Sequence, residues 1–149
     1  MSKFAVILYP NFSLQEITCL TSALSVWFEE KIDFIASENK EYCSEEGLRV
    51  VPTKTMDDTN ITDYDCVILP GTINPLPALY DDTLIDFLKS GINTNVVFAA
   101  ISSSPLLLAK AGVLKGNSPL DSSCRWQKYF HLSKKRTSPT KGLFATEML

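Results

Sequence analysis

The stretch Asn95-Val96-Val97-Phe98-Ala99-Ala100-Ile101-Ser102-Ser103-Ser104-Pro105-Leu106-Leu107-Leu108-Ala109-Lys110-Ala111-Gly112 constrains the fold of this chain more than any other. A β-branched, apolar run stops at small residues and passes into a helix marked by Ser104 as N-cap, Pro105 at N1 and Gly112 at C′. The segment predicts a strand, a sharp turn and a helix, with Ser102 at the apex. Such an apex needs small neighbours two residues to either side, and Ala100 and Ser104 meet that need, as in a nucleophile elbow. Neither is the glycine of G-x-S-x-G. Pattern alone leaves open whether Ser102 does chemistry, because most strand-turn-helix units carry no nucleophile.

The rest of the chain alternates in the same way. Phe4-Ala5-Val6-Ile7-Leu8-Tyr9 reads as a buried strand within residues 3–9, and a helix is expected from Ser13 to about Phe28 with the apolar stripe Leu14, Ile17, Leu20, Leu24, Trp27 and Phe28. Further strands are expected at 32–36 and 66–69, with a hairpin or strand pair beginning at Leu48. Asp81 or Asp82 caps a helix that carries Leu84, Ile85, Phe87 and Leu88 and stops at Gly91. Strands alternating with helices imply a mainly parallel sheet covered on both faces, with ligands at the carboxyl ends of the strands. Three segments converge there: Pro10 to Glu16, Gly71-Thr72, and Ser102.

Asp63-Tyr64-Asp65-Cys66-Val67-Ile68-Leu69-Pro70-Gly71-Thr72 and Ala99 to Gly116 together resemble the ThiJ/PfpI superfamily, within the class I glutamine amidotransferase-like folds. There, a strand ending D-x-[apolar]3-P-G-G lies beside the elbow A-A-I-C-[SAH]-G-P-x-x-L-A-x-A-G-[LV]-L-x-G. The likeness covers about residues 3–116. It implies an α/β three-layer sandwich of flavodoxin-like or glutamine amidotransferase-like type over residues 1–116, followed by an unmatched basic segment at 117–149. That C-terminal part is atypical or truncated, or read in an altered frame.

The chain departs from the family where chemistry is concerned. Ser102 stands in place of the family's cysteine, Gly71-Thr72 in place of Gly-Gly, and Ser103 where many members have histidine. The one histidine, His131, lies in the unmatched segment. The resemblance implies that Glu16 contacts the residue at 102; by spacing alone, Ser13-Leu14-Gln15-Glu16 is a helix capping box. Near neutral pH a cysteine thiol can ionise where a serine hydroxyl cannot, so Ser102 needs an adjacent base. Backbone N–H groups of Gly71, Thr72 and Ser103 are expected to form an oxyanion or anion pocket, which requires no side chains. The expected function is a non-catalytic or weakly active small-ligand-binding member. The alternative is a hydrolase, amidase or deglycase-like enzyme using Ser102 with Glu16. Superfamily members commonly pair, so a homodimer is expected, involving the Trp27-Phe28 end of the first helix. No metal or cofactor is expected.

Composition bounds the rest. A chain of 149 residues, 45% hydrophobic, suffices for one core. No apolar run approaches the ~20 residues that cross a bilayer, and the first ten residues read as a strand rather than a signal peptide. A cytoplasmic protein is expected. The cysteines at 19, 43, 66 and 124 show no C-x-x-C spacing; Cys19 and Cys66 read as small core hydrophobes and Cys43 as exposed. Residues 1–116 carry 8 Lys or Arg against 15 Asp or Glu, and residues 117–149 carry 6 against 2. The run Lys134-Lys135-Arg136 lacks aromatic interleaving, and with an acidic body it gives no case for nucleic-acid binding.

Overall fold

The chain begins in the middle of its own sheet. In the computed structural model, which describes residues 2–114, the elements are β1 (Lys3–Ile7), α1 (Gln15–Ser22), β2 (Lys31–Ala36), the hairpin β3 (Tyr42–Cys43) and β4 (Arg49–Val50), β5 (Lys54–Thr55), β6 (Cys66–Leu69), α2 (Leu76–Leu79), α3 (Asp82–Ser90), β7 (Val97–Ala100) and α4 (Pro105–Ala111). The segment expected at 117–149, with Cys124 and His131, lies outside the described residues. Five strands form one sheet in the order β5-β2-β1-β6-β7, and every pairing is parallel. From β1 the chain winds outward through β2 and β5, then returns to the other side through β6 and β7. Right-handed crossovers put the connections of the two halves on opposite faces. The result is the expected three-layer α/β sandwich.

The two central strands explain why their sequences are unbroken apolar runs. Ala5, Val6 and Ile7 of β1 and Val67, Ile68 and Leu69 of β6 are buried, as strands covered on both faces must be. Leu84 and Leu88 of α3 and Leu107 of α4 are fully buried as well. Asp81, not Asp82, caps α3: its carboxylate accepts the Leu84 N–H at 3.0 Å. Gly112 ends α4 in the left-handed conformation (φ 80°), where glycine has no Cβ to crowd the backbone. Among the described residues, no helix is long and apolar enough to cross a membrane.

The first helix departs from expectation. It starts at Gln15 and changes at Ala23–Trp27 to π-helical turns, in which the Phe28 N–H reaches back five residues to the Ala23 carbonyl (3.1 Å). The wider turn rotates the later side chains off the predicted stripe. Ile17 is buried and Leu14 and Leu24 partly so, but Leu20, Trp27 and Phe28 face outward. Cys19 is exposed too, which corrects its reading as a core residue; Cys43 is exposed as expected, and Cys66 is half-buried.

The direction of winding reverses between β1 and β6, and their carboxyl ends are where such a sheet opens a site.

Candidate functional site

Ser102 follows β7 at φ 56°, in the left-handed region that a serine rarely adopts, and its side chain is exposed. A residue held this way costs of order 1–3 kcal/mol, so its surroundings must fix it. Ser104 does much of the fixing. It was expected to cap α4, yet it makes no cap bond. Its fully buried Oγ accepts the Ile101 N–H at 2.7 Å and shares its proton between the carbonyls of Leu69 (2.9 Å) and Ile101 (2.8 Å). The hydroxyl thereby ties the elbow to the end of β6. The N–H groups that such a cap would serve, those of Leu106 and Leu107, donate instead to the carbonyls of Ser103 (3.2 Å) and Ser104 (2.9 Å).

Among the described residues, Glu16 meets the site without a hydrogen bond to Ser102 Oγ. Its Oε2 accepts the Gly71 N–H at 2.6 Å, rather than the Ser13 N–H that a capping box requires. The Ser13 N–H instead donates to the Gly71 carbonyl at 2.8 Å. A Cβ added to Gly71 would lie 2.5 Å from Glu16 Oε2 and 2.7 Å from Ser102 Cβ, so Glu16, Gly71 and Ser102 are mutual neighbours. Beneath them, the buried Tyr9 hydroxyl donates to the Pro70 carbonyl. Burial, and then the charge of Glu16, push the Tyr9 hydroxyl well above its usual range, so it stays protonated and acts as a strut.

Two of the three backbone donors expected to form the anion pocket are already engaged. Gly71 N–H serves Glu16, and Thr72 N–H donates to Ser103 Oγ at 3.0 Å. Ser103 completes a two-way link by donating from Oγ to the Thr72 carbonyl at 2.8 Å. Among the described residues, the N–H groups of Ser102 and Ser103 have no protein partner.

A structural role invisible in the sequence belongs to the tip of the β3–β4 hairpin. Gly47, at φ 88°, turns it. The tip then grips the β1–α1 loop: Asn11 N–H donates to Cys43 O (2.9 Å) and Glu45 N–H to Phe12 O (3.0 Å). The Glu46 carboxylate accepts the N–H groups of Leu14 (3.1 Å) and Gln15 (2.9 Å), supplying the cap that frees Glu16. Glu45 accepts the Ile73 N–H at 3.2 Å and so reaches the second site loop. The partners stand about thirty positions apart, so no local spacing rule could find them.

The Gln15 N–H above all, against a smaller opposing effect of desolvation, holds the Glu46 carboxyl down at about 2. A carboxylate depressed in the folded state stabilises above its unfolded value, and that contribution disappears as pH falls through the folded one. Glu46→Gln is therefore expected to lower Tm at neutral pH and to flatten the decline in Tm between pH 4.5 and about 2. Thermal melts across that window check it.

Comparison with known proteins gives this geometry a lineage. An uncharacterised protein of Methanocaldococcus jannaschii is 36% identical over 87 residues, which is 58% of this chain and 42% of that protein. DJ-1 protein homolog E of Arabidopsis thaliana is 42% identical over 70 residues, 47% of this chain and 18% of the relative. The chain thus spans less than half the length of these curated relatives. A DJ-1 superfamily protein from Agrobacterium tumefaciens shares the fold with a TM-score of 0.69 at 23% identity, over 78% of this chain and 61% of that one. Residues 2–119 match the DJ-1/PfpI family across their whole stretch, and the chain belongs to that family.

Proposed function

We propose that this chain is a small-ligand-binding member of its family in which Ser102 does not act as a nucleophile. One observation carries the reading: no base is hydrogen-bonded to Ser102 Oγ among the described residues, and the nearby carboxylate of Glu16 is turned to Gly71 N–H. A serine hydroxyl without an adjacent base is a poor nucleophile near neutral pH. The site remains organised around Ser102, and its strained, exposed apex favours the alternative of a hydrolase, amidase or deglycase-like enzyme.

Two substitutions separate the readings. Ser102→Ala is expected to leave any measured hydrolase, amidase or deglycase activity unchanged; loss of activity with the fold retained would establish the enzymatic alternative. Ser102→Cys is expected to create a thiol alkylated by iodoacetamide faster than Cys66, whose thiol burial and Asp65 push upward. Peptide mapping by mass spectrometry reads both sites in one sample.

The proposal includes a homodimer and a cytoplasmic setting. Val26, Trp27 and Phe28 present exposed apolar surface at the π-helical turns that follow α1, beside a groove lined by Thr18, Cys19, Ser22 and Ala23. Light scattering is expected to report twice the chain mass, and Trp27→Glu to shift it toward one. A wild-type mass of one chain over a wide concentration range rejects the dimer.

A further inference from the structure

We infer that the site accepts a small neutral or cationic molecule bearing an N–H donor, such as an amine or amidine, and turns away carboxylates and phosphates. This rests on the reading above, that a ligand enters where β1 and β6 end. Among the described residues, four segments border that region, residues 8–16, 43–48, 70–75 and 101–105, and none contains a lysine, arginine or histidine. They carry three carboxylates, Glu16, Glu45 and Glu46. Arg49, just beyond the hairpin tip, is paired with Glu41 at 3.0 Å.

Outside the elbow, the backbone donors that would normally attract an anion already hold acceptors from the chain itself. Glu16 occupies the Gly71 N–H, Ser103 Oγ the Thr72 N–H and Glu45 the Ile73 N–H. Glu46 sits on the N-terminus of α1, where a free anion would otherwise be favoured. What remains open for hydrogen bonding beside the elbow includes an acceptor, Glu16 Oε1, which receives no hydrogen bond among the described residues. A donor from the ligand satisfies it; another carboxylate is repelled by it. The N–H groups of Ser102 and Ser103 can take a neutral carbonyl or hydroxyl oxygen on the same ligand.

The test uses a thiol at the elbow as reporter. Ser102→Cys is made with Cys19→Ser, Cys43→Ser and Cys124→Ser, and folding is verified by circular dichroism. The thiol is treated with methanethiosulfonates carrying a trimethylammonioethyl, methyl or sulfonatoethyl group. In each case the thiolate attacks the sulfenyl sulfur, a mixed disulfide forms and methanesulfinate leaves. Relative to mercaptoethanol, the cation-to-anion rate ratio is expected to rise about tenfold at low salt and to fall back as salt is added. Glu16→Gln and Glu45→Gln should each reduce the ratio. A ratio equal to that of mercaptoethanol, or one favouring the anion, overturns the inference. A thiol inert to all three probes shows that no ligand enters, and both this inference and the binding reading fall. If Ser102→Ala abolishes a wild-type activity while the charge preference holds, only the non-catalytic reading fails.

Discussion

Gly71→Ala is expected to destabilise the fold by about 1–3 kcal/mol, the usual range for forcing extra volume into a packed site, and to separate Glu16 from the elbow. The added methyl would sit 2.5 Å from Glu16 Oε2 and 2.7 Å from Ser102 Cβ, both too close for van der Waals contact. Glu16 has a flexible side chain and can swing aside, but only by giving up the Gly71 N–H, which is then left without its 2.6 Å partner. Ser102 has less freedom, because Ser104 pins the turn to Leu69 and Ile101 through a fully buried hydroxyl. The elbow must therefore shift as a unit, or β6 must move away from it. Urea denaturation should show a lower midpoint at unchanged slope. In a Ser102→Cys background, the thiol should change its alkylation rate at the same time. A midpoint and a rate both equal to the parent's would mean that these three residues do not crowd one another.

The same cluster shows what the sequence made legible and where it stopped. Strand and helix types followed from unbroken apolar runs and from end signals that act locally: Asp81 before α3, Gly112 after α4. The elbow was legible for the same reason, since small residues around Ser102 and a proline three positions on are a local pattern. Side-chain destinations were not. Ser104 and Glu16 both matched a capping rule, yet each is used across the sheet, Ser104 on Leu69 and Glu16 on Gly71, because buried backbone groups at strand ends also need partners. The cap on α1 comes instead from Glu46, thirty-two positions from Leu14. The π-helical turns at Ala23–Trp27 likewise carry no composition signal, and they decide that Trp27 and Phe28 face outward. The extra residue in the turn broke the periodicity that had placed them inside.

Phe12→Ala is expected to cost about 3–5 kcal/mol, the range for truncating a buried phenylalanine, and to damage the site along with the fold. Phe12 lies in the β1–α1 loop, yet it is fully buried. Its backbone forms an antiparallel bridge with Thr72, and its carbonyl accepts the Glu45 N–H at 3.0 Å. One residue thus joins the loop that leads into Glu16, the loop that carries Thr72 and the hairpin tip that caps α1. Removing the ring leaves a cavity in the core under this loop, and a loop collapses into a cavity more readily than a central strand does. The stability loss is accordingly expected at the lower end of the range, and the displacement of Glu16 to be correspondingly large. Against a total stability of about 5–15 kcal/mol for a domain of this size, either is readily measured. Phe12→Leu keeps much of the apolar volume, so it should cost less and preserve the elbow thiol's reactivity in the Ser102→Cys background. Should Phe12→Ala shift the denaturation midpoint no more than a surface substitution does, the loop is not packed as described, and the bond between Glu16 and Gly71 must then owe its position to the hairpin alone.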